Sequence, residues 1–313
     1  MAKKYAIVIS DTGLKYGTNA VLNALKYYDH KNIELHLLHN KKMEEYVNNV
    51  RNNKKLSNIL ISVSLENFTK EFVESSSKSM PSQSQAFYAK FLRYVYPVRK
   101  LINYDAVCIF DGDQILTNNI QPYFEIAEKT NRILLTNNDR SGKCIESYSI
   151  DAIQGAASGL FQSVPTFFKP ETYKEIFEKM PELGVKFGIG DMSSLNKSLI
   201  MNNKMNKENV FILNNIFWIG NYLRFFDFYE KKIANKRYCT LLNGERINSF
   251  HGKFWKPQMC DKRIHETKRP ENLSRTISNV KLFWEFTEFF NTQCYHRISI
   301  KNNCKYFIKK KKK

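Results

Sequence analysis

Residues 107–115 read VCIFDGDQI, an apolar run that ends in two carboxylates flanking one glycine. Side chains along a strand repeat with a period of two, so Asp111 and Asp113 can face the same way. Gly112 between them lets the backbone turn sharply or approach a ligand closely. Two carboxylates at the carboxyl end of a buried strand suit a hard divalent cation, and such a cation can hold phosphates. An Asp-x-Asp triplet alone is a weak signal, because short acidic triplets recur by chance. Context strengthens it: Val107, Ile109 and Phe110 form the apolar run, and the acids begin where it stops. Ligands of open α/β sheets gather at such strand ends.

The segments around this strand support the same class. YAIVIS, a DTGLKYG loop, TNAVLNALKYY with helical spacing at Val21, Leu22, Leu25 and Tyr28, and alternating IELHLLH read as a βαβ opening. Such an opening favours a parallel sheet covered by helices. Ser57 to Leu65 holds another strand, and SSSKSMPSQSQ (75–85) is a loop leading into a helix. From Ser84 to Val98 the spacing is helical, with Phe87, Phe91, Leu92 and Val95 on one side and Lys90 and Arg93 on another; Pro97 marks its end. After the acidic strand come a helix (IQPYFEIAEK), a strand (RILLTN), and a polar, glycine-containing stretch over 139–165 that suits a substrate loop. A helix follows Pro170, another starts in GDMSSLNKSLI (190–200), and NVFILNNIFWIG supplies strand material. RINSFHGKFWKPQ (246–258) reads as a loop. No internal repeat is present, and nothing forces a second domain boundary.

At 313 residues and 42% hydrophobic content the chain can bury a substantial core. No stretch of about eighteen uninterrupted apolar residues exists, so no transmembrane helix is expected. The amino terminus lacks a signal-peptide shape, since Tyr5–Ile9 is too short for a signal core, and a cytoplasmic protein is expected. Cys108, Cys144, Cys239, Cys260, Cys294 and Cys304 form no C-x-x-C pair and read as reduced thiols, not as a zinc site or disulfide framework. The net charge of +19 implies acidic partners. Apart from the terminal run Lys309–Lys313, that charge is spread widely, with no stripe of the kind that tracks a nucleic acid.

Three separated segments share one chemistry. DGD supplies carboxylates, SFHGKFWKP supplies His251 with Lys253 and Lys256, and FYAKFLRY supplies Lys90 and Arg93. Together they could coordinate a divalent metal and neutralise a diphosphate. Each alone has a plain explanation, because a loop histidine or a lysine usually faces water.

Over most of residues 5–257 the chain resembles the metal-dependent retaining glycosyltransferases of family 8, the group of glycogenin and the bacterial lipopolysaccharide galactosyl- and glucosyltransferases. FYAKFLRYVYP followed by YDAVCIFDGDQILTNNI resembles that family's helix, strand and D-x-D. GDMSSLNKSL is similar to its acidic D-x-x-x-L-N segment, and FHGKFWKP to a shortened form of its carboxyl-terminal H-x-x-G-x-x-K-P-W motif. The resemblance implies an α/β fold of the GT-A nucleotide-diphospho-sugar transferase type, with a single Rossmann-like, mainly parallel sheet flanked by helices.

It also implies roles. Asp111 and Asp113 would bracket a Mn²⁺ or Mg²⁺ ion, with Asp113 the direct ligand, Asp111 also near the donor ribose, and His251 the third protein ligand. Lys256 would contact the departing diphosphate beside Gly252. Lys90 matches a position that is usually arginine and reaches the donor, and Asp191 the acid beside the donor sugar and reactive centre. Ser10 and Asp11 would contact the base or ribose.

The chain departs from the family pattern in four places. His251 to Lys256 is one residue short, which leaves Lys253 and Lys256 both open to the lysine's place; Trp255 precedes the lysine, where the family's tryptophan follows the proline. Ser158 in AASGLF stands where asparagine is usual, and Asp191 is the single acid before Leu195–Asn196. The implied activity is a retaining hexosyl transfer from UDP-glucose or UDP-galactose to a glycan, glycolipid or protein acceptor. A metal-dependent nuclease or nucleic-acid-binding protein, and a nucleotide-sugar-binding protein without turnover, are the alternative classes; no nucleic-acid partner is expected. The expected division is a catalytic domain over 1–280 and an aromatic helix with a lysine tail over 281–313. That terminal segment suits either peripheral contact with the inner face of an anionic membrane or a core-packing helix with a solvated end.

Overall fold

The computed structural model describes residues 3–76, 83–137, 161–214, 218–219, 227–251 and 270–298. Seven strands form the central sheet: β1 (Tyr5–Asp11), β2 (Ile33–His39), β3 (Leu60–Ser64), β4 (Ala106–Asp111), β6 (Ile133–Asn137), β7 (Phe161–Phe168) and β8 (Val210–Leu213). Their order is β3-β2-β1-β4-β7-β6-β8. β1 to β4 are mutually parallel and β6 runs parallel to β8, while β7 is antiparallel to both its neighbours. The sheet is therefore mainly parallel, as expected. A small sheet of β5 (Gln114–Leu116), β12 (Ser249–His251) and β9 (Trp218–Ile219) adjoins it. A hairpin of β10 (Tyr229–Ile233) and β11 (Lys236–Thr240) is separate.

Alternation along the strands divides the core into two layers. Tyr5, Ile7 and Ile9 of β1 face α1 (Tyr16–Tyr27), α2 (Glu44–Arg51), α5 (Gln121–Thr130) and α8 (Pro270–Glu288). Ala6 and Val8 face α3 (Leu65–Ser75), α4 (Gln85–Lys100), α6 (Lys174–Phe187) and α7 (Asp191–Met201). Both faces of a largely parallel sheet are thus covered, which is why the central strands β1 and β4 are almost wholly buried. Ser64 and Ser84 cap α3 and α4, each hydroxyl accepting the N–H of the residue three along at 3.2 Å.

The structure alters several element readings. Pro97 lies inside α4, which continues to Lys100, and the Leu101 N–H still reaches the Pro97 carbonyl at 2.9 Å. A proline in the last turns removes only one backbone bond, and burial of Tyr94, Val95 and Val98 outweighs that loss. The 139–165 stretch ends in β7 from Phe161 onward; its remaining residues lie outside those described. Within the presumed loop 246–258, Ser249–His251 is a strand. The expected boundary at 280/281 falls inside α8, whose Val280, Phe283 and Phe286 are buried in the same core layer as β1. The lysines from 301 onward lie outside the described residues.

Candidate active site

Strand order alone locates a site. From β1 the sheet grows towards β2 and β3 on one side and β4 on the other, so a crevice opens at the carboxyl ends of β1 and β4. In that register Ser10 is the partner of Asp111. The chain then makes the acid turn, and its backbone is held from two directions. The Asp111 N–H donates to Gln114 Oε1 at 2.8 Å. Gly17, in the first turn of α1, packs directly on the turn: a Cβ there would lie 1.6 Å from the Gly112 carbonyl oxygen. No side chain fits at position 17, and α1 is therefore seated against the acids.

β5 leaves the turn and pairs with β12, which sets His251 opposite Gln114, one residue beyond Asp113. A residue 138 positions downstream is thereby brought beside the acid turn by strand pairing. Asp113 is buried.

The opposite wall is charged. Arg93, from the middle of α4, is 5% exposed. One of its terminal nitrogens pairs with Asp111 and the other with Asp191 Oδ2 at 2.9 Å. Lys90, one turn earlier on α4, reaches Asp191 Oδ1 at 3.0 Å. Ser163 Oγ and the Tyr94 hydroxyl add hydrogen bonds to Asp191 Oδ2 at 3.0 and 3.2 Å, and Tyr94 also meets the Ser163 carbonyl at 2.9 Å. Asp191 is the first residue of α7, where the helix dipole favours an anion. Burial alone would raise its carboxyl, but Arg93 and then Lys90, with hydrogen bonds from Lys90 and Ser163, hold it at about 2. Gly190 makes room for this arrangement: a Cβ there would sit 3.1 Å from Lys90 Nζ.

Asp11 has a different task. Its buried carboxylate accepts the N–H groups of Gly13, Leu14 and Lys15 at 2.7–3.0 Å and the Thr18 hydroxyl at 2.7 Å. It shapes the loop between β1 and α1 from within. Ser10 Oγ, beside Asp111, is buried with no hydrogen-bond partner among the described residues.

Of the residues singled out from sequence, Ser10, Lys90, Asp111, Asp113 and Asp191 converge on this crevice, with the His251 backbone at its edge. Gly252, Lys253 and Lys256 lie outside the described residues, as does the His251 side chain. Arg93, read from sequence with Lys90 as a cation for a diphosphate, lies between two carboxylates. Sequence reasoning missed Gln114, Tyr94, Ser163 and Gly17. Ser163 carried no signal, because β7 follows a polar stretch and its partner lies 28 residues away.

Among the described residues no three His, Cys, Asp or Glu side chains group as a metal site. The donor types nevertheless fit a hard divalent cation. Two carboxylates end the same strand-turn unit, and a histidine position adjoins them through β12.

No protein-family model matches the sequence, and no curated protein matches it either. Solved structures do match, and the fold they share is the GT-A glycosyltransferase fold. The bifunctional glycosyltransferase WbbM, in its apo form, superposes with a TM-score of 0.56 at 14% identity, over 89% of this chain and 52% of its own. The galactosyltransferase LgtC, in complex with donor and acceptor sugar analogs, superposes with a TM-score of 0.50 at 14% identity, over 87% of this chain and 99% of its own. The chain thus spans about half the length of WbbM and nearly all of LgtC. At that identity the likeness establishes the fold.

Proposed function

We propose that the chain is a metal-dependent retaining glycosyltransferase of the family-8 kind, moving a hexose from a nucleotide-diphosphate sugar to a glycan, glycolipid or protein acceptor. One observation carries this reading: the carboxylates of Asp111 and Asp191 meet the cations Arg93 and Lys90 beside the acid turn, at the carboxyl-end crevice between β1 and β4 of a GT-A sheet. The LgtC complex with donor and acceptor sugar analogs supports a sugar-donor site on such a sheet.

Asp111 and Asp113, with His251, would hold Mn²⁺ or Mg²⁺, which when bound supplies Lewis-acid neutralisation of the leaving diphosphate. The residues do the remaining work. Asp191, kept ionised by Arg93 and Lys90, stands as fixed negative charge for the oxocarbenium-like sugar. Its two oxygens are already engaged by cations and hydroxyls, so its contribution is electrostatic. Ser10, whose hydroxyl has no partner among the described residues, would contact the donor base or ribose, and Asp11 would act by holding the loop that flanks it. Lys90 contacts the donor near its phosphates or sugar, and Lys256, with Gly252, meets the departing phosphate. The donor is UDP-glucose or UDP-galactose. The terminal run Lys309–Lys313 suits either a solvated end or peripheral contact with an anionic membrane surface on the cytoplasmic side.

A thermal-shift panel of UDP, GDP and CMP with their sugars, with and without Mn²⁺, tests the reading, since a ligand of the native state raises the melting temperature. A Mn²⁺-dependent shift with UDP and its sugars is expected. A shift with another nucleotide alone would overturn the donor, and no shift with any would overturn the transferase.

A further inference from the structure

We propose that Arg93 is a positioning residue that keeps the resting affinity of the Asp111–Asp113 turn for a divalent cation low, so that cation and nucleotide diphosphate bind as a mutually dependent pair. The inference rests on the glycosyltransferase reading for the identity of the ligands, and its basis is the charge geometry of the crevice.

Arg93 cannot lose its charge, and its planar fork fixes two partners at once. Those partners come from different elements: Asp111 ends β4 and Asp191 begins α7. Arg93 is 5% exposed and Asp191 equally so, and withdrawing the arginine would leave a buried carboxylate with Lys90 as its remaining cation among the described residues. Such a separation is strongly unfavourable, so the tether holds. Among the described residues, Asp111 already has a positive neighbour in Arg93. A fixed cation beside a carboxylate repels any further cation that approaches it. That repulsion acts on a metal ion.

A diphosphate brings negative charge to the place where that repulsion is felt. It cancels the effect of Arg93, and by linkage each ligand raises the affinity of the other by one common factor. The buried Arg93 Nε has no hydrogen-bond partner among the described residues, so one N–H donor of the guanidinium remains unused. Arg93 thus joins the two halves of the site and makes the metal wait for its substrate.

The test is calorimetric titration of Mn²⁺ into the intact protein, with and without UDP, for the wild type, Arg93→Met and Arg93→Lys. In the wild type UDP should tighten Mn²⁺ by about tenfold or more. Arg93→Met should bind Mn²⁺ alone about tenfold more tightly, with the UDP effect reduced by the same factor. Arg93→Lys, which keeps the charge, should bind Mn²⁺ alone as the wild type does. Because Arg93→Met strands Asp191, the titration is repeated on Arg93→Met combined with Asp191→Asn, which removes both charges. Tighter Mn²⁺ binding there again supports the proposal. Equal or weaker binding in the Met variants, or no Mn²⁺ binding by any protein, overturns it. A protein that shows the predicted coupling but transfers no sugar would overturn the transferase and leave the role of Arg93 standing.

Discussion

At the residue scale the chemistry is set by who neighbours whom. Asp111, Asp113 and Asp191 were legible because acids at a strand end and at a helix start are local patterns. Their partners were not, since the Asp191–Ser163 and Asp191–Arg93 contacts depend on how β7 and α4 pack. Arg93 was visible as a cation, but nothing local showed that two carboxylates enclose it. The same dependence on packing applies to His30, far from any motif. Its Nδ1–H donates to the Leu25 carbonyl at 3.1 Å and its Nε2 accepts the Ile120 N–H at 2.9 Å, which fixes a neutral ring. Burial pushes this imidazole down to about 4, against the opposing hydrogen bond to Leu25. The unfolded chain protonates near pH 6.5 and the folded chain near 4, so between these values the unfolded state binds more protons. Stability conferred by His30 is full above pH 6.5 and falls as pH drops towards 4. Urea unfolding at pH 7 and pH 4.5 should show a smaller loss on acidification for His30→Gln than for the wild type; equal losses would rule this out.

At the element scale the βαβ opening, the acidic strand and the helix from Asp191 followed from periodicity, because apolar spacing reports burial directly. β7 and β12 escaped it. The first emerges from a polar stretch, and the second has three residues whose pairing with β5 is set by the tertiary fold. α4 ran past Pro97 because packing on the sheet overrode a local stop signal. The contact of α1 with the acid turn gives a sharp prediction. Gly17→Ala puts a methyl within 1.6 Å of the Gly112 carbonyl, against backbone that cannot swing aside. A loss of about 3 kcal/mol or more is expected, at the upper end of overpacking. Chemical denaturation measures it, and a change under about 0.5 kcal/mol would show that α1 does not seat there.

For the whole molecule, the carboxyl-terminal helix belongs to the core. Phe283, Phe286 and Phe290 are fully buried in the layer that also holds Ile7 and Leu22. A satisfied polar network secures the chain beyond α8: Asn23 Nδ2 reaches the Phe290 carbonyl at 2.7 Å, and Asn291 Oδ1 accepts from Asn19 at 2.8 Å. Aromatic spacing over this segment was also compatible with a membrane face, because a helix shows one apolar stripe whatever covers it. Phe283→Ala should therefore cost about 3–5 kcal/mol, readable as a lower denaturation midpoint. An unchanged midpoint would return that face to the surface. The net charge of +19 then acts from outside the core, where it favours acidic partners without specifying them.

In the proposed function the acid turn between β4 and β5 carries cation-dependent sugar transfer. Its most direct test is release of UDP from UDP-glucose and UDP-galactose by the wild type and by Asp113→Ala, each with Mn²⁺ and with chelator. Turnover by the wild type with Mn²⁺ alone is predicted, together with a fall of at least about 10²–10³ in Asp113→Ala at an unchanged melting temperature. Equal turnover by the two proteins, or turnover that persists in chelator, would contradict it.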